Sequence, residues 1–350
     1  MGEQGKKRRF CAAALCVCML AAAGLVRSSA GDASALEVGM RVIPVGKAVG
    51  IKLFSDGVLV VGLSGVETEN GSKSPGKSCG LKAGDVITHI NGSEVDTIEQ
   101  VQKLIAEQGD SRLTIQAVRS NRALQFTAQA VENKNGVAQL GVWLRDSMAG
   151  IGTVTFYDPE SGTFAALGHG INDADTATLM PLEKGSIMPA SVCEVKKGLP
   201  GQPGELHGQF DLTKDLGELK ANTEKGIFGT SETLTIPSGA GAMEIAKRAE
   251  VKTGKATILS NVRGDKVEEF DVELVCVDQN SSGTRNMLLK VTDPELLALT
   301  GGIVQGMSGS PILQNGRIVG AVTHVLVNDP TRGYGIFIEN MLEAAGGANG

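Results

Sequence analysis

The sequence predicts a mainly β protein in three parts: an N-terminal membrane or export segment over residues 1–30, an α+β domain over 45–132, and a double β-barrel over 136–350. Three observations carry that reading. The 350-residue chain holds 47 glycines but only 3% aromatic residues, a balance that suits many short strands and tight turns rather than a helical bundle. A strand–turn–strand–helix–strand pattern fills the first half. In the second half, short β-branched runs flank a His and a Gly-bounded Ser roughly 140 residues apart. The chain is long enough for two domains with separate cores.

The N-terminus begins with Lys6, Lys7, Arg8 and Arg9, followed by an uncharged apolar run from Phe10 to Val26. Arg27 closes the run, and Ser28-Ser29-Ala30 offers the small residues that a signal peptidase accepts. The run lies between the lengths usual for a spanning helix and a cleaved signal, so anchor and signal peptide both stay open. Positive residues ahead of it keep that end in the cytoplasm and place everything after Arg27 outside. The expectation is an exported protein that contacts the membrane through its N-terminal segment.

Composition excludes several functions. Net charge is -6 with a pI near 5.4, and no basic stripe follows the first ten residues, so nucleic acid is not an expected partner. Beyond the apolar run only Cys79, Cys193 and Cys276 remain, which is no disulfide framework. The four histidines are isolated and no paired C-x-x-C occurs, so no metal site is expected. Gly254-Lys255 lacks the earlier glycine of a phosphate-binding loop. No cofactor is expected.

In the first domain, Gly57-Val58-Leu59-Val60-Val61 is a compact strand. Gly80-Leu81-Lys82-Ala83-Gly84-Asp85 leads into Val86–Ile90, which ends at Asn91-Gly92, a pair suited to positive φ at both positions of a hairpin turn. Asp96 or Thr97 can cap a helix with Ile98, Val101, Leu104 and Ile105 on one face, stopped by Gly109. Leu113 to Val118 alternates as a half-buried strand. The segment from Ser74-Pro75 through Cys79–Ile87 to Asn91-Gly92 resembles the PDZ domains attached to bacterial serine proteases. The resemblance implies that an extended peptide adds to a sheet edge, with loop amides holding its carboxylate. Val49-Gly50-Ile51-Lys52-Leu53 is the expected loop, with Gly50, Ile51 and Leu53 as peptide-binding residues; a plain strand start at Gly50 is the competing reading.

In the second domain, Leu140–Leu144, Thr153–Tyr157 and Thr163–Leu167 read as strands, the last delivering His169 from Ala165-Ala166-Leu167-Gly168. Downstream stand Gly306-Met307-Ser308-Gly309-Ser310-Pro311, then Ile312-Leu313, the turn Asn315-Gly316, and Ile318–Thr323. The glycines let the chain turn sharply, exposing the Ser308 hydroxyl and aiming the amides of Gly306 and Ser308 at one point, an oxyanion hole. His169 at the end of a small-residue strand is placed to act as general base. This pattern resembles the G-x-S-G-x-P segment of chymotrypsin-like proteases, and the order and spacing of the two motifs fit two six-stranded barrels.

A narrower resemblance covers residue 40 to the C-terminus. Gly302–Pro311, Gly320–Val325, Val327-Asn328-Asp329-Pro330, Arg145–Gly152 and Gly168-His169 are similar to the stage IV sporulation protein B peptidases. That resemblance implies a sporulation signalling serine endopeptidase, exported into the forespore intermembrane space. Its protein substrates would be itself and a membrane-bound inhibitor of an intramembrane metalloprotease, whose removal activates a mother-cell sigma factor. Two other classes remain: an envelope quality-control PDZ protease, and a non-catalytic PDZ scaffold.

The third catalytic residue is open. The resemblance implies Asp293, which would orient His169. The residues alone favour another role, because Asp293 precedes Pro294-Glu295-Leu296 and Gly301 and so can cap a short helix. Asp211 competes for the catalytic role, Asp173 and Asp175 follow His169 too closely, and a Ser–His pair without a carboxylate is a further reading. His324, on the strand after Ser308, falls where such folds line the substrate pocket, and also reads as an ordinary strand residue. Arg263-Gly264-Asp265 reads as a hairpin turn, and Glu339–Ala345 as a closing helix.

Overall fold

Two long strands, Ala48–Leu63 and Val142–Asp158, organise the protein. The structure, a computed structural model, describes residues 39–109 and 111–348; the expected N-terminal export segment lies outside them. The two strands pair antiparallel from Val142↔Leu63 to Thr153↔Ala48. Each crosses from one domain into the other, and the register shifts between Trp143 and Leu144 and between Arg145 and Ser147 where they cross. Such irregularities bend a strand and sharpen its twist.

The Ala48–Phe54 half belongs to the first barrel. It pairs with Ser147–Thr153 on one edge and with Lys184–Pro189 on the other. Continuing through Gly217–Thr223, Gly226–Thr230 and Thr163–Ala166 back to Val142–Asp158, the pairings close a ring of six strands. Inside lie Val49, Ile51, Val154, Phe164, Ile187 and Ile227, all buried.

The other halves of the same strands belong to the PDZ domain. Val58 and Leu59 pair with Ile87 and Val86, and the sheet continues through Arg112–Arg119 to Arg122–Gln129. Helix Ile98–Gln108 packs on it, burying Val101 and Ile105 against Ile87, Leu113 and Ile115. Thr97 provides the cap: its side chain accepts from the Gln100 amide while the Gln100 side chain accepts from the Thr97 amide, two otherwise unmet donors satisfied together. Asn91 and Gly92 take φ of 51° and 81°, the hairpin conformation expected of that pair.

The expected domain order is therefore corrected. Residues 45–54 are barrel, not PDZ, and the PDZ domain does not precede the peptidase domain. It is inserted between the first two strands of the first barrel, which explains why residues 140–144 and 153–157, expected as separate strands, fall on one strand of 17 residues, Val142–Asp158, with Leu140 and Gly141 just ahead of it.

The second barrel closes in the order Gly254–Arg263, Lys266–Val277, Met287–Val291, Asp329–Phe337, Arg317–Leu326, Pro311–Gln314. Ile258, Phe270, Leu274, Leu289, Ile312 and Phe337 fill it. Gly264 forms the hairpin turn expected of the Arg-Gly-Asp tripeptide. The closing helix, Ile338–Ala348, lays Met341 and Leu342 on Phe156 and Phe228 of the first barrel. Arg248 bonds to Glu339 at 2.8 Å and to Asn340 at 2.9 Å, securing the start of that helix. Among the described residues, no helix is long and apolar enough to cross a membrane.

Candidate active site

His169 is presented by a sharp turn at the end of strand Thr163–Ala166. Leu167 and Gly168 both adopt left-handed φ, 70° and 68°. A buried leucine in that region is disfavoured; the conformation is held by packing and by the bonds from Leu167 N–H to Thr153 O and from Gly168 N–H to Ala166 O. His169 Nδ1 lies 2.8 Å from the carbonyl of Gly170. A carbonyl only accepts, so Nδ1 carries the proton and Nε2 is left as the basic nitrogen. Burial pushes the His169 pKa down, opposed by the Gly170 bond, which keeps the ring neutral at neutral pH.

Ser308 sits in the turn between Ile303 and Pro311. Gly306 and Gly309 both have φ of 98°, and a Cβ on Gly309 would meet the Thr153 carbonyl at 2.0 Å. The turn is stapled to the first barrel from both of its sides. Thr153 N–H donates to Ser308 O at 3.0 Å, and Thr153 Oγ1–H donates to Gly306 O at 2.8 Å. The Gln305 carbonyl accepts from Leu206 N–H at 2.9 Å. Since that peptide is planar and trans, the Gly306 N–H points away from Leu206. Among the described residues, neither the Gly306 nor the Ser308 amide makes a hydrogen bond within the protein.

One cleft holds these groups: His169, Gly306 and Ser308 line it with Thr323, His324 and the strand segment Met148–Ile151. The Ser308 hydroxyl donates to the Thr323 carbonyl at 2.7 Å and not to His169. Ser308 and His169 share the cleft, with the hydroxyl held on the Thr323 carbonyl. The rings of His169 and His324 lie 5.1 Å apart, tilted by 39°. Burial, with His169 and Arg285 nearby, lowers the His324 pKa to about 4.

Among the described residues, no Asp or Glu lines the cleft and none bonds to His169, whose Nδ1 faces the Gly170 carbonyl; Asp293, expected to orient His169, is engaged at a helix start. Asp293 caps helix Pro294–Thr300: Oδ1 accepts from the amides of Glu295 and Leu296, both at 2.9 Å, and Oδ2 accepts from Asp271 N–H at 3.4 Å. The cap reading of the residues is the one the geometry realises. Asp211 lies on a turn, bonded to Thr213 and Lys214. The group that orients His169 is the backbone carbonyl of Gly170.

Asp173 serves the site indirectly. Its carboxylate is buried, with Oδ1 accepting from the amides of Asp175 and Thr176 and Oδ2 bonded to Arg145. Arg145 also reaches Asp175 at 2.9 Å. The loop after His169 is thus pinned to the long strand, with Asn222 holding its other side through Ile171.

Gly50, Ile51 and Leu53 do not form a carboxylate-binding loop. They lie mid-strand with both edges paired, Ile51 with Gly150 and Ile187, Leu53 with Met148 and Gly185, so no peptide can add there. The open PDZ edge is Val142–Asp146, beside helix Ile98–Gln108. Val142 and Leu144 are half-buried with Ile98 and Leu104 on the same apolar surface. The amides of Leu140 and Gly141, at the head of this edge, make no hydrogen bond among the described residues, while their carbonyls accept from Gly76 and Ser64. The sequence signal was Leu140-Gly141-Val142, apolar–Gly–apolar directly before a strand.

A Gly-bounded serine facing a neutral histidine across two β-barrels, with a PDZ domain built into the first, defines a serine peptidase. The comparisons agree: residues 136–342 match the SpoIVB peptidase S55 family and residues 69–119 match a PDZ domain. The chain belongs to the SpoIVB peptidase S55 family. No curated protein matches the chain significantly. Similar solved structures include the PDZ domain of the SdrC-like protein Lmo2051 from Listeria monocytogenes, at 22% identity over 25% of this chain and 87% of that one, with a TM-score of 0.21. The HtrA-type protease AlgW with a decapeptide is 11% identical over 58% of this chain and 53% of its own, with a TM-score of 0.34. An inactive form of Rv3671c from M. tuberculosis H37Rv is 15% identical over 57% and 82%, with a TM-score of 0.29.

Proposed function

We propose that Ser308 is the nucleophile and His169 the general base of a signalling endopeptidase. The observation that carries this is the convergence of Ser308, a neutral His169 with Nε2 free, and two unengaged amides on one cleft. Ser308 leaves Thr323, passes its proton to His169 Nε2 and attacks the peptide carbonyl. The Gly306 and Ser308 amides receive the oxyanion, a contribution of about 3 kcal/mol for each donor. His169 then protonates the leaving amine, and water hydrolyses the acyl-enzyme by the same route.

The resemblance to sporulation peptidases supports a regulated role: an exported enzyme between the two forespore membranes that cleaves itself and a membrane-bound regulatory protein. The hold of the Thr323 carbonyl on the Ser308 hydroxyl is compatible with an enzyme that is switched on by its substrate. Fluorophosphonate labelling read by intact mass tests the chemistry. One adduct on the full chain, absent from Ser308→Ala and His169→Ala, is expected; no adduct on the folded protein would overturn the catalytic assignment. Loss of sporulation when Ser308→Ala replaces the wild-type chain tests the biological role.

A further inference from the structure

A single unpaired strand edge joins the PDZ groove to the Ser308 cleft. From Val142 to Thr153 the long strand pairs with Leu63–Ala48 on one side only. Thr163–Ala166 takes the other side from Val154 onward. Among the described residues, the second edge of Val142–Gly152 pairs with no strand. Its head lies at the unengaged Leu140 and Gly141 amides and beside helix Ile98–Gln108, whose first amide donates to Asp146 Oδ2 at 3.0 Å. Its tail, Met148–Ile151, is a wall of the cleft that holds Ser308, and the next residue but one, Thr153, bonds directly to Ser308.

An exposed edge of this length is a template for an added strand. The two ends agree on its direction. Free amides at Leu140 and Gly141 suit a carboxylate, which sets the C-terminus of an added peptide at the head of the edge and makes it antiparallel. The peptide then runs back towards Ser308, and it cannot continue past Thr153, where Thr163–Ala166 occupies the edge. The bond presented to Ser308 therefore lies upstream of the bound C-terminus. The apolar floor at Val142 and Leu144 suits an apolar last residue. Trp143, the chain's one tryptophan, stands 63% exposed on this edge, open to a cross-strand neighbour.

We propose that the substrates docked through the PDZ groove are polypeptides with a free, apolar C-terminus, laid along Val142–Gly152 and hydrolysed at a fixed distance from that end. At about 3.3 Å per residue the edge spans roughly 33 Å, so the scissile bond falls about 10–12 residues before the C-terminus, the strand bulges accounting for the range. One water is consumed, and the products are a shortened chain with a new carboxylate and a released tail of that length. The inference rests on Ser308 being the nucleophile.

The test uses the full chain and synthetic peptides with a fixed apolar C-terminal tetrapeptide behind a randomised stretch of 20 residues, the released fragments being sized by mass spectrometry. Fragment lengths should peak at 10–12 residues whatever the sequence cleaved, and amidating the C-terminus should slow cleavage at least tenfold. Lengths that follow sequence instead of distance, equal cleavage of amidated peptides, or no cleavage by protein that labels with fluorophosphonate would each overturn the proposal while leaving the nucleophile standing. Absence of labelling would overturn both.

Discussion

Thr153 and Gly306, 153 residues apart in sequence, are joined by a 2.8 Å hydrogen bond from the threonine hydroxyl to the glycine carbonyl. That bond fixes the plane of the Gly306–Met307 peptide, and with it the backbone whose amides face the cleft. Thr153→Val keeps shape and removes the donor. It should lower kcat about 10- to 100-fold with KM nearly unchanged, because the loss falls on the transition state. Leaving a buried carbonyl unmet should also cost about 1–3 kcal/mol of stability, measurable by urea denaturation.

Asp293 offers a clear choice between capping and catalysis. Serine also caps helices, so Asp293→Ser should keep activity within about threefold, whereas Asp293→Ala should lose about 1 kcal/mol of stability. Paired kcat/KM and melting measurements decide the matter. A Ser variant as inactive as Ser308→Ala would restore Asp293 to the catalytic role.

The two cleft histidines predict a pH response. Both have pKa values below the ordinary histidine value, His324 at about 4. The unfolded chain therefore binds more protons than the native one between about pH 7 and 4, and stability falls as pH drops through that window. Above it the histidine contribution is constant. His324→Gln should flatten the decline, seen as a smaller difference between melting temperatures at pH 7 and pH 4.5.

Arg145 and Asp173 should behave as a coupled pair. Arg145→Gln leaves the buried Asp173 carboxylate without its cation and should destabilise the protein by about 3 kcal/mol or more, slowing fluorophosphonate labelling as the His169 loop loosens. Adding Asp173→Asn should recover part of both losses. A double-mutant cycle with no coupling would contradict the assignment of this pair as the anchor of the loop.

Legibility from sequence tracked how local the determining physics is. Thr97 as cap, Asn91-Gly92 as hairpin turn, and the placement of Ser308 and His169 in one cleft all follow from short-range patterns, and the structure realises them. Asp293 is readable as a cap from Pro294 and Gly301 alone, and it is one. The domain insertion was not readable, because a strand shared by two domains carries no composition break: nothing between Val49–Leu53 and Val58–Val61 marks a change of domain, and Gly50 suits a loop as well as a strand. Thr153 and Arg145 were invisible for the same reason, since their partners lie far away in sequence and one strand threonine looks like another.

The insertion also dictates how the first barrel can be assembled. Its two leading strands are separated by roughly 80 residues of chain, and bringing such distant segments together from a flexible state is entropically costly and slow. A PDZ domain that has already folded holds Leu63 beside Val142 and shrinks that separation to a tight hairpin. Folding the insert first would therefore lower the entropic barrier to closing the host barrel.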